Sequence, residues 1–438
     1  EVSNLVEVPT AILGSFEEEF LTLPQEVLIA VMKKHQRYFP VLDSAGKIMS
    51  YFVTIRNGSQ EHVDLVRQGN EDVIRARYAD AAYFYSQDRR QPLEAHREGL
   101  EKLTFEADLG SMLDKSERLE ALAPYLGQLM NLSEDEMVSL QRAAYLSKAD
   151  LATKMVVEMT SLQGTMGREY ALLSGESPAV ADAIFEHYLP RSAGDRSPTS
   201  QAGVALALAD RIDSLTGLFA VGMAPTGSAD PYGLRRAAAG VVQILLDKEL
   251  ALSLRPVVIE AASHLPVNTK DDLVGAVLDF IAGRLEVALR DVGLPYDVVA
   301  AALAARGDNP TLALESAQQL STWVGRDDWP MLLDNYARCV RITRDQPRFD
   351  LVADVLTEKE EKALYAALLE AESQVAPGSD VNTLMEAFLP LVPFIQRFFD
   401  EVLVMAKDEQ LRQARLALLE RVAALADGIA DLSQLEGF

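Results

Sequence analysis

From about residue 70 to its end, the chain places apolar residues at three- and four-residue steps, the spacing of one helix face. Val73, Ala76 and Ala81 illustrate this spacing in the first such stretch. Helices are predicted in series around 113–130, 134–160, 178–188, 201–221 and 232–248. Apolar residues make up 49% of the chain, enough for a folded core, so we expect a mainly α-helical protein.

The first 65 residues follow a different pattern. The stretch 47–55 is rich in β-branched and aromatic residues, and turn-forming residues precede it at 43–46. Pro24 stands where it can begin a short amphipathic helix. We therefore predict a mixed α/β segment here. Because the chain begins with Glu1 in a stretch typical of the middle of a protein, we expect a fragment of a longer chain.

A chain of 438 residues exceeds what one hydrophobic core usually holds, so several domains are expected. Loops rich in Gly and Pro interrupt the helical pattern at 190–199 and 222–228. The predicted division is an α/β segment at 1–65, a helical linker at 66–104, a helical domain at 105–255, a helical connector at 256–330 and a C-terminal helical domain at 331–438.

Composition excludes several classes of protein. The single cysteine, Cys339, rules out a disulfide framework and a cysteine metal cluster, and it fits a reducing cytoplasm. We find no apolar run long enough to span a membrane and expect no membrane partner. The net charge of −25 disfavours nucleic acid as a partner if taken alone, but binding uses local patches of charge.

One pair of segments looks like a degenerate metal site. Lys148, Ala149 and Asp150, read with the distant Asp210, resemble the His-Asp pair and distal Asp of a metal-dependent phosphohydrolase of the HD type, with Ala149 in place of the His. The five histidines are scattered, and of these only His187 could join the two aspartates. Lys148 could pair with Asp150 or Asp210 and take the place of a cation. We therefore predict no metal site.

Basic clusters are the other candidates. Arg338, Arg341 and Arg344 recur at three-residue steps, with Arg348 just beyond. Further pairs are Arg412 with Arg415, Arg89 with Arg90, which follow three aromatic residues, and Arg235 with Arg236. Such arginines can hold phosphates or stack on bases, but they can equally pair with the plentiful acids on solvated faces.

Several runs together resemble the beta subunit of the bacterial heterotetrameric glycyl-tRNA synthetase. They occur in the family's order and cover nearly the whole chain: 32–40 (MKKHQRYFP), 69–77 (GNEDVIRAR), 162–167 (LQGTMG), 186–190 (EHYLP), 225–231 (PTGSADP), 234–238 (LRRAA), 398–405 (FFDEVLVM) and 411–419 with LR and RLALL. The resemblance covers the later part of that subunit and implies that its N-terminal domains are absent here.

The resemblance implies an identity for each predicted domain. Segment 1–65 would be the tail of a module related to one in the phenylalanyl-tRNA synthetase beta subunit. The domain 105–255 would be a degenerate HD-type domain, in which Lys148-Ala149-Asp150 falls where hydrolases keep the His-Asp pair. The domain 331–438 would be a helical anticodon-binding domain of the DALR type, shared with arginyl-tRNA synthetase.

The resemblance also implies a function. The chain would bind glycine tRNA and support its charging as a subunit of glycine–tRNA ligase, while the alpha subunit carries out the chemistry with ATP and Mg²⁺. We therefore expect no catalytic residue and no cofactor in this chain. The expected partners are glycine tRNA and the alpha subunit, in an alpha2beta2 assembly or a fused chain. The predicted tRNA-binding residues are Arg338, Arg341, Arg344, Arg348, Arg412 and Arg415.

Two alternatives stay open at this point. The chain could be an active HD-type phosphohydrolase acting on nucleotides or nucleic acid ends, which Ala149 disfavours. It could also be a helical scaffold without RNA binding, which would require every candidate arginine to be paired with an acid.

Overall fold

The computed structural model describes residues 5–33 and 37–438. His35 and the centre of the first family-like run, together with the chain start, lie outside the described residues. The chain divides into two compact units, one of residues 1–217 and 260–268 and the other of residues 218–259 and 269–438. The division at 217/218 falls inside the predicted domain 105–255, so the five-domain division stays a prediction.

The first unit begins with a three-stranded antiparallel sheet in the order β1-β3-β2. Its strands are β1 (Pro9–Ser15), β2 (Phe39–Leu42) and β3 (Ile48–Asn57). The predicted strand 47–55 is β3, which lies at the centre. Its buried Phe52 stacks on Tyr38 with ring centroids 4.7 Å apart. A short hairpin, β4 (Thr104–Glu106) with β5 (Gly110–Ser111), precedes the remaining helices of this unit, which begin at Met112.

Helices make up most of the described chain. In order they are α1 (Gln25–Val31), α2 (Val63–Asp88), α3 (Leu93–His96), α4 (Met112–Leu129), α5 (Glu134–Leu146), α6 (Lys154–Glu158), α7 (Thr165–Leu173), α8 (Pro178–Glu186), α9 (Gln201–Ala220), α10 (Leu234–Asp247), α11 (Leu254–Ser263), α12 (Leu273–Asp291), α13 (Tyr296–Arg306), α14 (Pro310–Val324), α15 (Trp329–Thr343), α16 (Lys359–Gln374), α17 (Val381–Phe388), α18 (Val392–Glu401) and α19 (Glu409–Ala424). The prediction of a mainly α-helical chain is confirmed.

Local sequence explains where several helices begin. Ser111 caps α4 and Ser133 caps α5. In each case the side chain of the acidic residue three positions later accepts the backbone N–H of the capping serine, which completes a capping box. Ser177 caps α8, and Pro178 occupies its first turn, where a missing N–H costs nothing. These caps explain why the predicted helices near 113, 134 and 178 begin within one residue of the observed ones.

The predicted helix 134–160 is wrong as a continuous element. Helix α5 ends at Leu146, a 3₁₀ turn follows at Ala149–Ala152, and α6 begins only at Lys154. The break is at Lys148, whose φ of 67° is left-handed and cannot continue a right-handed helix. This turn directs the Lys148 side chain away from the path that a continuous helix would have given it.

The second unit joins the predicted connector to the C-terminal domain. Arg306 at the end of α13 donates to the Gly428 carbonyl at 2.9 Å and to the Ser316 hydroxyl at 3.0 Å. The Ala301 carbonyl accepts from the Asp431 N–H at 2.9 Å. Because these bonds cross residue 330, that predicted boundary does not separate two compact units. None of the helices in the described ranges, 5–33 and 37–438, is long and apolar enough to cross a membrane.

Candidate functional site

The first candidate site lies where the Lys148 turn meets α9. Lys148 Nζ donates to Asp210 Oδ2 at 2.9 Å, and both groups are largely shielded from solvent. The same ammonium lies 4.1 Å from the centre of the Tyr188 ring. Burial lowers the pKa of Lys148, against the opposing effect of Asp210. The sequence-based expectation that Lys148 pairs with one of the two aspartates is confirmed for Asp210.

A second lysine reaches the same carboxylate from α4. Lys115 Nζ lies 3.1 Å from Asp210 Oδ1 and 2.8 Å from Asp213 Oδ2. Burial works to lower the pKa of Lys115, but Asp210 and Asp213 outweigh it and raise the pKa. Arg118 Nε, one turn along α4, donates to Asp213 Oδ1 at 2.6 Å. The result is a buried network of alternating charges.

Burial also works to raise the pKa of Asp210, but Lys115 and Lys148 outweigh it and hold that pKa well below its usual range. The sequence analysis did not select Lys115, Arg118 or Asp213. The sequence did contain an indication of this network, because these charged residues stand at positions of α4 and α9 where the helical period places core residues.

Asp150 and His187 complete the cluster and are fully buried. Asp150 Oδ2 accepts the Gly164 N–H at 2.6 Å, and burial raises the pKa of this carboxyl group. His187 Nδ1–H donates to the Ile184 carbonyl at 2.6 Å. Burial, with the help of Lys148, holds the pKa of His187 well below its usual value, so the ring stays neutral.

The cluster does not have the chemistry of a hydrolytic metal centre. Within the described part of the chain, no group of three or more His, Cys, Asp or Glu side chains is placed to hold a metal ion. Such a centre needs several imidazoles and carboxylates around one point. Here Lys148 Nζ occupies the space beside Asp210, and Ala149 offers no ligand. The structure therefore gives no support to the phosphohydrolase hypothesis.

The second candidate site is the row of arginines on α15. Arg338, Arg341 and Arg344 share one side of this helix and its C-terminal cap, as their three-residue spacing predicts. The Arg338 guanidinium lies 4.3 Å from the Phe399 ring centre, and those of Arg341 and Arg344 lie 5.4 Å and 5.8 Å from the Phe438 ring centre. None of the three forms an ion pair with a described residue.

A groove of about 570 Å³ continues from this row. Arg344 and Arg348 line it, and Asp427 and Asp431 are among the acids that also line it. The side chain of Arg348 is 91% exposed, and its Nε lies 3.1 Å from Glu420 Oε1. A pair so exposed is weak, so this guanidinium can exchange its partner for a phosphate. The groove presents both donors and acceptors, which suits the edge of a base.

Arg412 and Arg415, two further predicted tRNA-binding residues, both lie on α19 but differ in their exposure and in their partners. Arg412 is partly exposed and pairs with Glu409 at 2.5 Å. Arg415 is 2% exposed; it is bound to Glu361 at 2.5 Å, to Glu358 at 2.6 Å and to the Leu403 carbonyl at 2.7 Å. Its guanidinium does not reach the surface, so the structure removes Arg415 from the candidate interface and places it in the core.

Comparisons with known proteins cover the whole chain. Residues 1–304 match the family model described as glycyl-tRNA synthetase beta subunit, and residues 332–432 match the DALR anticodon binding domain. The glycine–tRNA ligase beta subunits of Desulforamulus reducens and Desulforudis audaxviator are 40% and 43% identical to it. Each alignment spans 99% of this chain and 64% of the relative, so the chain corresponds to less than two thirds of their length.

A plant relative extends the comparison. The chloroplastic/mitochondrial glycine–tRNA ligase 2 of Arabidopsis thaliana is 39% identical over 441 residues. That alignment spans 100% of this chain but only 41% of the plant protein. The similarity therefore persists in a relative that is considerably longer than the bacterial ones.

Proposed function

Since this chain belongs to the family of glycyl-tRNA synthetase beta subunits, we propose that it is the tRNA-binding part of a glycine–tRNA ligase. In this role it supports the ATP-dependent attachment of glycine to its tRNA. The alpha subunit performs the chemistry with ATP and Mg²⁺, and this chain supplies no complete active site and no cofactor. Its place of action is the cytoplasm.

One observation carries the proposal. The unpaired row Arg338, Arg341 and Arg344 lies inside the segment 332–432 that matches an anticodon-binding domain. Guanidinium groups held over aromatic rings are positioned in advance, so less side-chain entropy is lost when they bind a phosphate or stack on a base. This row and the groove beyond Arg348 form the proposed anticodon interface, with Arg412 at its periphery.

The charge of the whole chain is consistent with this role. With 41 basic and 66 acidic side chains, most of the surface repels RNA. A negatively charged surface around a small basic area weakens non-specific binding of RNA more than it weakens the specific complex with tRNA. The acidic composition therefore sharpens the docking of tRNA and does not exclude it.

The proposed partners are glycine tRNA and the alpha subunit. The bacterial relatives are named beta subunits, which is consistent with an alpha2beta2 assembly. The longer plant relative is named a ligase without a subunit, which is consistent with a fused chain. Either arrangement brings the proposed interface and the catalytic subunit onto the same tRNA.

The test is a titration of this chain with glycine tRNA and with an anticodon-substituted tRNA over a series of salt concentrations. We expect Arg338→Gln/Arg341→Gln to relax anticodon discrimination by about 1–3 kcal/mol where base contacts are lost, or to reduce the salt slope by about one per lost phosphate contact. Arg326→Gln is the control for the loss of one exposed guanidinium, because Arg326 lies in the same unit but is paired with Asp328 at 2.7 Å. Unchanged affinity and slope in the double variant would refute the interface.

A further inference from the structure

Arg89 and Arg90, in the first compact unit, directly follow the C-terminal end of α2, and both are exposed. A groove of about 310 Å³ lies against them. The other residues that line it are Gln91, Pro92, Tyr170, Leu173 and Ser174. The Leu93 N–H donates to Ser174 Oγ at 2.9 Å, which fixes the chain after Arg90 against α7. The groove is therefore held in shape by the fold.

A buried carboxylate organises this area without neutralising it. Asp88 accepts the backbone N–H groups of Lys154 and Met155, each at 2.9 Å, and the Tyr170 hydroxyl at 3.0 Å. Its oxygens are thus committed to neutral donors in the interior. The same bonds hold the beginning of α6 beside the end of α2, which places the Lys154 backbone against Asp88, the residue before the two arginines.

An aromatic side chain accompanies these cations. Tyr83 is 56% exposed, and Lys154 Nζ lies 5.6 Å from the centre of its ring. Helix α2 ends at Asp88, Arg89 is its C-terminal cap, and Arg90 follows in the turn beyond it. The Arg89 guanidinium lies 5.0 Å from the Tyr85 ring centre. The surface combines three cations with an exposed ring.

These cations differ from two arginines within α2. Arg67 pairs with Asp64, and Arg75 pairs with Asp72. Arg89, Arg90 and Lys154 form no ion pair with any residue in the described ranges. In a chain with a net charge of −25, exposed cations without carboxylate partners are free to bind an anionic ligand. Arginine, lysine and an exposed tyrosine suit the phosphodiester backbone of RNA and an adjacent base.

We propose that Arg89, Arg90 and Lys154 form a second RNA contact, which binds the backbone of the tRNA outside the anticodon interface. This inference rests on the proposed function, because it takes tRNA as the ligand. The contact adds affinity and fixes orientation without reading the anticodon, since phosphate contacts carry no sequence information.

The test compares wild type, Arg89→Gln/Arg90→Gln and Arg67→Gln/Arg75→Gln. The last variant is a matched control, because it removes the same charge from α2 itself, at positions paired with Asp64, Asp72 and Glu17. Each is titrated with full-length glycine tRNA and with the isolated anticodon stem-loop over a salt series. We expect Arg89→Gln/Arg90→Gln to reduce the salt slope on full-length tRNA by about two. Between 50 and 200 mM salt this amounts to a difference of about 16-fold in relative affinity.

The stem-loop separates this inference from the proposed function. We expect it to bind wild type and Arg89→Gln/Arg90→Gln equally. An unchanged slope on full-length tRNA, or an equal change in the matched control, would overturn the second contact while stem-loop binding left the anticodon interface standing. Failure of wild type to bind either RNA would overturn both. Lys154→Gln, on a different helix, should reduce the slope by about one and provides an independent check should the double variant misfold.

Discussion

Lys148 Nζ and Asp210 Oδ2 are 2.9 Å apart in the interior of the first compact unit, although 62 residues separate them in the chain. The lysine approaches from the turn after α5 and the aspartate from α9. A protein ammonium group thereby supplies the positive charge next to Asp210. This pairing makes the cluster a structural element and determines how its members respond to substitution and to pH.

The first prediction concerns that pair. Lys148→Met should destabilise the region by about 3 kcal/mol, because a buried carboxylate loses a partner, although Lys115 still compensates part of its charge. Lys148→Met/Asp210→Asn should cost less than the sum of the single variants by about 0.5–3 kcal/mol. Native-state hydrogen exchange of the α9 amides measures both quantities. Strictly additive costs would show that the two residues are not coupled.

The second prediction concerns pH. Because His187 has a folded pKa well below its ordinary 6.5, the unfolded state binds its proton first as pH falls. The associated stability is present above pH 6.5 and is lost progressively below it, by up to about 1.4 kcal/mol per pH unit. His187→Asn, which can retain the donor to Ile184, should flatten this part of the stability curve.

The measurement is thermal unfolding between pH 5 and pH 7. Asp150 has a raised pKa and acts in the opposite direction, but it is common to both proteins and cancels in the comparison. His62→Gln is the control, because the His62 side chain is 75% exposed and lacks the buried setting of His187. Parallel curves for wild type and His187→Asn would contradict the assignment of the slope to His187.

The third prediction separates two arginines of one helix. Arg415→Gln should destabilise the C-terminal helices by about 3–5 kcal/mol, because it leaves the buried carboxylate of Glu361 without its guanidinium. Arg412→Gln removes the same group from a partly exposed pair and should cost no more than about 1 kcal/mol. The thermal unfolding of the two variants compares these costs directly. Equal shifts in Tm would refute the structural role given to Arg415.

The fourth prediction concerns the single thiol. Cys339 lies on the inner side of α15, its Sγ is 3.4 Å from the Asn335 carbonyl, and burial raises the pKa of the thiol to about 12. A thiol so protonated and shielded reacts slowly. Labelling with a disulfide reagent at pH 8 should be slow in the native protein and should reach one thiol per chain in urea. Rapid labelling of the native protein would place Cys339 at an accessible surface.

Elements with strong local signals were predicted well. Helix α8 carries both a serine cap and a proline in its first turn, and α9 carries a long periodic pattern. These signals act within a few residues, so the sequence shows them directly. The interruption at Lys148 has no such signal. Its left-handed conformation is retained because the buried contacts of its side chain compensate for the strain.

In the candidate interface, too, local sequence predicted some features and the tertiary structure decided others. The three-residue spacing of Arg338, Arg341 and Arg344 is enough to place them together, because helix geometry alone determines which residues share a side. The aromatic rings beneath them, Phe399 and Phe438, come from distant segments and were not foreseen. Arg412 and Arg415 lie three residues apart on one helix, yet the first is partly exposed and the second is in the core.

The sequence by itself determined the helical class, the starts of several helices, the family and the candidate arginines, because each depends on patterns over a few residues or on runs in a recognised order. Only the tertiary structure decided which arginine is buried, where the helix after α5 breaks and which cation faces Asp210. Those outcomes depend on groups far apart in the chain. Burial makes the pairing of such groups energetically decisive, and local sequence does not specify which of them meet.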